Sequence, residues 1–296
     1  MNKTMKKALV AAMALTMCAS TSIGVFASSE SVDDRAPFSS TVYRAEQYFA
    51  KKIASGKNNV AADAFLTKVE NRDKMYIIDV RSAEDFAKGH VKNAVNIPYG
   101  ADIAENLERI PTNQKVYVYC YSGQTASQVM AILRMVGVDA YNVSGGYNNG
   151  ISKSAKAVGL ITTDAGRKIG NHKQDITDSF EAAVADYFAN AVGKYNISNT
   201  EAQGKILDGS LYLLDIRAEA DHKAGYIEGV DMNIPYGTGM QEEFSKLPKD
   251  KKIVVQCYSG QTASQAVATL RLMGYDAWNL SGGTNGWTAA NLPLVK

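Results

Sequence analysis

The sequence predicts an α/β protein of two tandem domains, each a parallel β-sheet flanked by helices on both faces. Three observations carry the prediction. The nine residues Cys120 to Gln128 recur unchanged at Cys257 to Gln265, an offset of 137. Asn96 to Gly100 recurs at Asn233 to Gly237, Ser144-Gly145-Gly146 at Ser281-Gly282-Gly283, and Asp79-Val80-Arg81 returns as Asp215-Ile216-Arg217 one residue out of step. So long a period is a duplicated domain, because solenoid units repeat about every 20–50 residues. Within each copy, short apolar runs alternate with helical periodicity, and that order builds parallel sheets.

The elements follow in order. Each copy opens with an amphipathic helix, Tyr43 to Ile53 and Phe180 to Val192. Met75–Val80 and Leu211–Ile216 are apolar, rich in β-branched and aromatic residues, and read as buried strands. Val116–Tyr119 and Ile253–Val255 read the same way and run straight into a cysteine. Beyond it, Ala126, Val129, Met130, Leu133 and Val136 fall at helical spacing, as do Ala263, Val267, Leu270 and Met273. Gly137 and Gly274 stand where these helices end. Ala140–Val143 and Ala277–Leu280 form a further strand closed by Ser-Gly-Gly. The domains are placed at 40–151 and 179–296, with a polar, aperiodic linker at 152–178.

Residues 1–27 are set apart. Lys3, Lys6 and Lys7 precede an apolar run from Ala8 to about Ala19, and Val25-Phe26-Ala27 forms a small-residue cleavage site before Ser28. That is the layout of a secretory signal peptide, and the run is shorter than the about 20 residues of a membrane span. Met17 before Cys18 argues against a lipoprotein anchor. The expected protein is exported to the periplasm, the cell envelope or the extracellular space. Removing these residues shifts the formal charge from +2 to −1. A near-neutral chain gives no reason to expect nucleic acid or an anionic membrane as a partner. Cys120 and Cys257 then remain. Being equivalent residues of separate domains, they have no reason to approach within the about 7 Å Cα separation that a disulfide requires.

Each cysteine ends a strand, precedes a glycine-containing turn, and stands before a helix. Ligands of open α/β sheets bind at this carboxyl edge. Turn and first-turn N–H groups favour negative charge there. The candidate nucleophiles are therefore Cys120 and Cys257, on exposed turns. The candidate substrate loops are Tyr121, Ser122, Gly123, Gln124 and Thr125, and Tyr258, Ser259, Gly260, Gln261 and Thr262. Gly123 and Gly260 let the backbone curl, and Thr125 and Thr262 offer a hydroxyl donor or a helix cap.

Taken together, Asp79-Val80-Arg81, Gly89-His90-Val91, Asn96-Ile97-Pro98, Cys120–Ala126 and Ser144-Gly145-Gly146 resemble the rhodanese superfamily in order and spacing. The second copy matches with Asp215-Ile216-Arg217, Gly225-Tyr226-Ile227, Asn233-Ile234-Pro235, Cys257–Ala263 and Ser281-Gly282-Gly283. The resemblance spans roughly 58–150 and 195–292. It implies a sulfurtransferase that moves a sulfane sulfur from a donor such as thiosulfate or 3-mercaptopyruvate, through a cysteine persulfide, to a thiol or cyanide. A protein thiol is a further class of acceptor. Neither metal nor cofactor is implied.

The sequence also departs from the family. The loop lacks the arginine, six residues after the cysteine, that related phosphatases need; Ala126 and Ala263 stand there, so the bidentate phosphate fork is missing. Tyr121-Ser122 and Tyr258-Ser259 replace the basic residues of the thiosulfate enzymes. Both domains keep the cysteine, so the chain looks like two active domains in tandem. Asp79–Arg81 and Asp215–Arg217 are expected to brace the loops as ion pairs. His90 is matched by Tyr226, which rules out a shared histidine base. The competing reading is a non-catalytic envelope sulfur carrier or binding module. A redox role ranks last, because no Cys-x-x-Cys is present.

Overall fold

The computed structural model describes residues 41–51 and 55–296. The expected signal peptide at 1–27 lies outside them. The first repeat runs α1 (Thr41–Lys51), β1 (Asn59–Val60), α2 (Ala62–Glu70), β2 (Met75–Asp79), α3 (Ala83–Lys88), β3 (His90–Val91), β4 (Ala94–Asn96), α4 (Ala101–Glu105), β5 (Lys115–Tyr119), α5 (Gln124–Met135) and β6 (Ala140–Val143). A short β7 (Ile161–Thr162) follows. The second repeat runs α6 (Asp178–Ala189), β8 (Asn196–Ile197), α7 (Asn199–Leu207), β9 (Leu211–Asp215), α8 (Glu219–Ala224), β10 (Met232–Asn233), β11 (Lys252–Gln256), α9 (Gln261–Leu272), β12 (Ala277–Leu280) and α10 (Gly283–Ala289). Among the described residues no helix is long and apolar enough to cross a membrane.

Each repeat holds one five-stranded parallel sheet, in the orders β1-β6-β5-β2-β4 and β8-β12-β11-β9-β10. The expected fold class is therefore the observed one. In both sheets the middle strand, β5 or β11, carries the cysteine at its carboxyl end. Register places Asp79 beside Tyr119 and Asp215 beside Gln256, so the acidic end of one strand adjoins the cysteine end of the next.

The segment 152–178 is not a free tether. Ile151 is buried against the outer face of the first sheet, Leu160 and Ile161 pack beside it, and β7 pairs antiparallel with β3. Further on, Ile176 enters the central core.

The leading helices serve the opposite repeats. Phe49 of α1 packs edge-on against Tyr236 and Phe244 of repeat two, with ring centroids 5.6 and 5.4 Å away. Phe188 of α6 packs in the same way on Tyr99 of repeat one at 5.1 Å. The helices that follow the cysteines, α5 and α9, face each other. Contacts of this reciprocal kind form an isologous interface like that of a two-fold homodimer, here built within one chain. A single buried cluster therefore joins the inner faces of both sheets, and each outer face keeps a smaller cluster of its own. The two repeats therefore share one core. This explains why α5 is buried from Ala126 to Met135 with no exposed face: a sheet covers one side and α9 the other.

Candidate active site

Gly123 and Gly260 take φ of +87° and +78° and cap α5 and α9. That left-handed geometry is open to glycine. It turns the Gly123 N–H back onto Cys120 Sγ at 3.1 Å and the Gly260 N–H onto Cys257 Sγ at 3.1 Å. Ala263 N–H also points at Cys257 Sγ, at 3.4 Å. The expected inward-facing amides are present, as one donor in the first loop and two in the second. Thr125 and Thr262 do not cap the helices, because the glycines hold that position.

The expectation of exposed cysteines is corrected. Cys120 and Cys257 are each 1% exposed, and both are free thiols. The cause is the Ser-Gly-Gly turn. Tyr147 N–H donates to the Cys120 carbonyl at 2.7 Å, and Thr284 N–H to that of Cys257 at 2.8 Å, which lays the turn across each loop. A Cβ on Gly146 would meet the Cys120 carbonyl oxygen at 2.5 Å and Gly123 N at 2.7 Å. No side chain fits there, which accounts for the repeated glycine pair.

The loop tyrosines are tethered. Tyr121 Oη donates to Asp85 Oδ2 at 2.6 Å and accepts from Ser82 N–H at 3.3 Å. Tyr258 Oη likewise donates to Asp221. Asp85 is held down to about 2, first by the Tyr121 hydroxyl and then by Lys88 and Ser82. The acceptor at this tether is therefore anionic at ordinary pH.

The acid–arginine pairs act one step further away. Arg81 Nη2 meets Asp79 Oδ2 at 2.6 Å and donates to the Gly89 carbonyl at 2.7 Å. Arg217 repeats this with Asp215 at 2.7 Å and Gly225 at 2.8 Å. Both pairs are buried, so they fix the turn after the sheet strand, on which the Tyr121 or Tyr258 anchor stands. His222, passed over in the sequence, adds an Nδ1 contact to Asp215 at 2.9 Å. His90 is buried between the Phe86 carbonyl and Asp164, away from the sulfur loop.

Gln124 and Gln261, assigned to the substrate loops, reach across the interface. Gln261 Oε1 accepts from Asn142 Nδ2 at 2.9 Å and Gly145 N–H at 3.3 Å in repeat one. Gln124 Oε1 accepts from Asn279 Nδ2 at 2.7 Å and Gly282 N–H at 3.2 Å in repeat two. Each amide also donates to its own loop serine, Ser122 or Ser259. The two loops are thus bonded to each other's Ser-Gly-Gly turns. Behind them, Gln128 accepts from Tyr99 and Tyr187, and Gln265 from Tyr236 and Tyr48. Sequence reasoning missed these tyrosines, although Tyr99 and Gln128 lie inside motifs repeated without change. Among the described residues no group of three or more His, Cys, Asp or Glu side chains is placed to hold a metal.

These features define a class: parallel α/β domains with a sulfur held by amides between the central strand and its helix. Comparison with known proteins agrees. The family model described as Rhodanese-like domain matches residues 61–153 and 198–290. The chain belongs to that family. It is 33% identical over 87 residues, 29% of this chain and 84% of the other, to the putative sulfurtransferase YtwF of Bacillus subtilis. It is 38% identical over 74 residues, 23% of this chain and 67% of the other, to the thiosulfate sulfurtransferase PspE of Escherichia coli. It is 27% identical over 84 residues, 28% of this chain, to the putative sulfur carrier protein YrkF of Bacillus subtilis, of whose length the match spans 45%.

Proposed function

We propose that this chain is a rhodanese-type sulfurtransferase with Cys120 and Cys257 as nucleophiles, working outside the cytoplasmic membrane. The observation that carries the reading is the pair of amide-to-sulfur hydrogen bonds at 3.1 Å, at the carboxyl end of each central strand. Such donors stabilise an anionic sulfur as an oxyanion hole stabilises oxygen. In the first step a cysteine thiolate attacks the outer sulfur of thiosulfate. The donor's S–S bond breaks, sulfite leaves with the electron pair, and Cys–S–S⁻ remains. In the second step a thiolate or cyanide attacks that outer sulfur, giving a persulfide or thiocyanate and returning the cysteine thiolate. Covalent catalysis thereby divides one transfer into two.

The burial of both thiols adds a requirement: the loop opens at its tyrosine to admit the donor. Burial also favours a second reading, in which the chain stores persulfide for a partner without turnover. Mass spectrometry after incubation with thiosulfate tests both. One added sulfur on each cysteine, multiple turnover with cyanide, and loss of turnover in the Cys120→Ser/Cys257→Ser chain are expected. Loading without turnover would leave the carrier reading; no added sulfur on either cysteine would end both.

A further inference from the structure

Two equivalent lysines stand where each repeat reaches the other's sulfur loop. Lys57-Asn58 and Lys194-Tyr195 are consecutive left-handed pairs, with φ of 54° and 60° in the first and 54° and 52° in the second. Lysine and tyrosine rarely adopt that conformation, and it persists only where the surroundings impose it. Here the opposite repeat imposes it. The Lys194 carbonyl accepts from Gln128 Nε2 at 2.9 Å, and the Lys57 carbonyl from Gln265 Nε2 at 3.0 Å. Both glutamines lie one turn into the helices that begin at the sulfur loops.

The side chains follow the backbone. Lys194 Nζ lies 5.7 Å from the Tyr99 ring and 6.0 Å from the ring of Tyr121, the residue after Cys120. Lys57 Nζ lies 5.6 Å from the ring of Tyr236, the equivalent of Tyr99 in repeat two. Both spacings are within the range of a cation–π contact. Among the described residues no carboxylate pairs with either ammonium. The loops themselves hold no cation: Tyr-Ser follows each cysteine.

We propose that Lys194 and Lys57 are specificity residues supplied in trans: Lys194 of repeat two draws an anionic sulfur donor to Cys120, and Lys57 of repeat one draws it to Cys257. This rests on the sulfur-transfer reading and deepens it, by naming the residues that recognise the charge of the donor, each supplied by the opposite repeat. Lys194, set over two rings of its site, is the better placed of the two.

The test uses full chains with a single cysteine, thiosulfate as donor and cyanide as acceptor. In the Cys257→Ser chain, Lys194→Gln is expected to raise KM for thiosulfate roughly three- to ten-fold, the order of one partly screened charge, with kcat little changed. Lys194→Arg should restore it. In the Cys120→Ser chain, Lys57→Gln should act likewise. An unchanged KM for Lys194→Gln in the chain carrying Cys120, or an equal rise in the chain carrying Cys257, overturns the assignment. If the parent single-cysteine chains turn nothing over, the sulfur-transfer reading fails by itself. Calorimetry of thiosulfate on the Cys120→Ser/Cys257→Ser chain then decides for the lysines: two binding sites, one lost with each Lys→Gln, sustain them, and binding that is absent or indifferent to both substitutions overturns them.

Discussion

At the scale of single residues, the sulfur loops are governed by positions where a side chain cannot exist and by one phenol each. Gly146 takes φ of +59° with backbone on three sides of any added Cβ. Gly146→Ala should therefore cost about 2 kcal/mol or more, combining left-handed strain with displaced backbone. It should abolish sulfur loading at Cys120 and spare Cys257, as peptide mass spectrometry would show. Tyr121 ties its loop to Asp85 and Ser82. Tyr121→Phe should speed alkylation of Cys120 by iodoacetamide several-fold relative to Cys257; equal rates at both cysteines would mean the tether does not restrain the loop. The sign of its pH dependence follows from Asp85, whose carboxyl is lowered from 3.8 to about 2. The tether's contribution is fully present above the ordinary carboxylate value and is lost as pH falls through about 2. Labelling of the unsubstituted chain at Cys120 should thus show no step from loop release between pH 4 and 7.

At the scale of elements, the decisive feature is that α1 and α6 pack on the repeat to which they do not belong. Phe49 and Tyr48 are fully buried there. Phe49→Ala removes a large aromatic from the shared core and should cost about 3–5 kcal/mol. Its local effect should appear in the wrong repeat by sequence, as faster amide hydrogen exchange around Tyr236 and Phe244, and not in α2, which lines the outer core of repeat one. The helix periods of α1 and α6 were legible from their amphipathic pattern. Their partners were not, because an apolar stripe states that something covers it and not what. The same holds for α5. Its apolar residues at helical spacing read as a one-sided helix, yet Ser127, Gln128 and Arg134 are buried too. Two flanking layers, one from each repeat, leave no side for solvent.

At the scale of the molecule, the shared core joins the repeats into one unit. Chemical unfolding should show a single transition by circular dichroism and tryptophan fluorescence, although Trp278 and Trp287 both lie in repeat two. Two separated transitions would contradict the continuous core. The interface also sets an alkaline limit. Tyr48 is pushed up from 10.0 to about 12 by burial, and Tyr99, Tyr187 and Tyr236 are raised by the same cause. Their protonated hydroxyls serve Gln128 and Gln265. In the unfolded chain these phenols ionise near 10, whereas in the folded chain they resist. Stability is therefore full below about pH 10 and is lost as pH rises from there through about 12. Urea midpoints measured at pH 8, 10 and 11 should fall somewhat by pH 10 and more steeply over the last interval.

The amino-acid order alone determined the duplication, the parallel α/β class, the two cysteines at strand ends and the glycines that turn their loops. These are local or repeated features, written in residues close together in the chain. Three things were left to tertiary structure: the burial of the thiols, the packing of the leading helices across both repeats, and the meeting of Gln124, Gln261, Lys57 and Lys194 with the opposite repeat. Each depends on contacts between residues tens to hundreds of positions apart. A side chain's type restricts the partners it can take, but only the packed chain selects among them. The verbatim recurrence of Tyr99, Gln124 and Gln128 was the one trace of that interface in the sequence, and without the fold it could be read only as part of the repeated motifs.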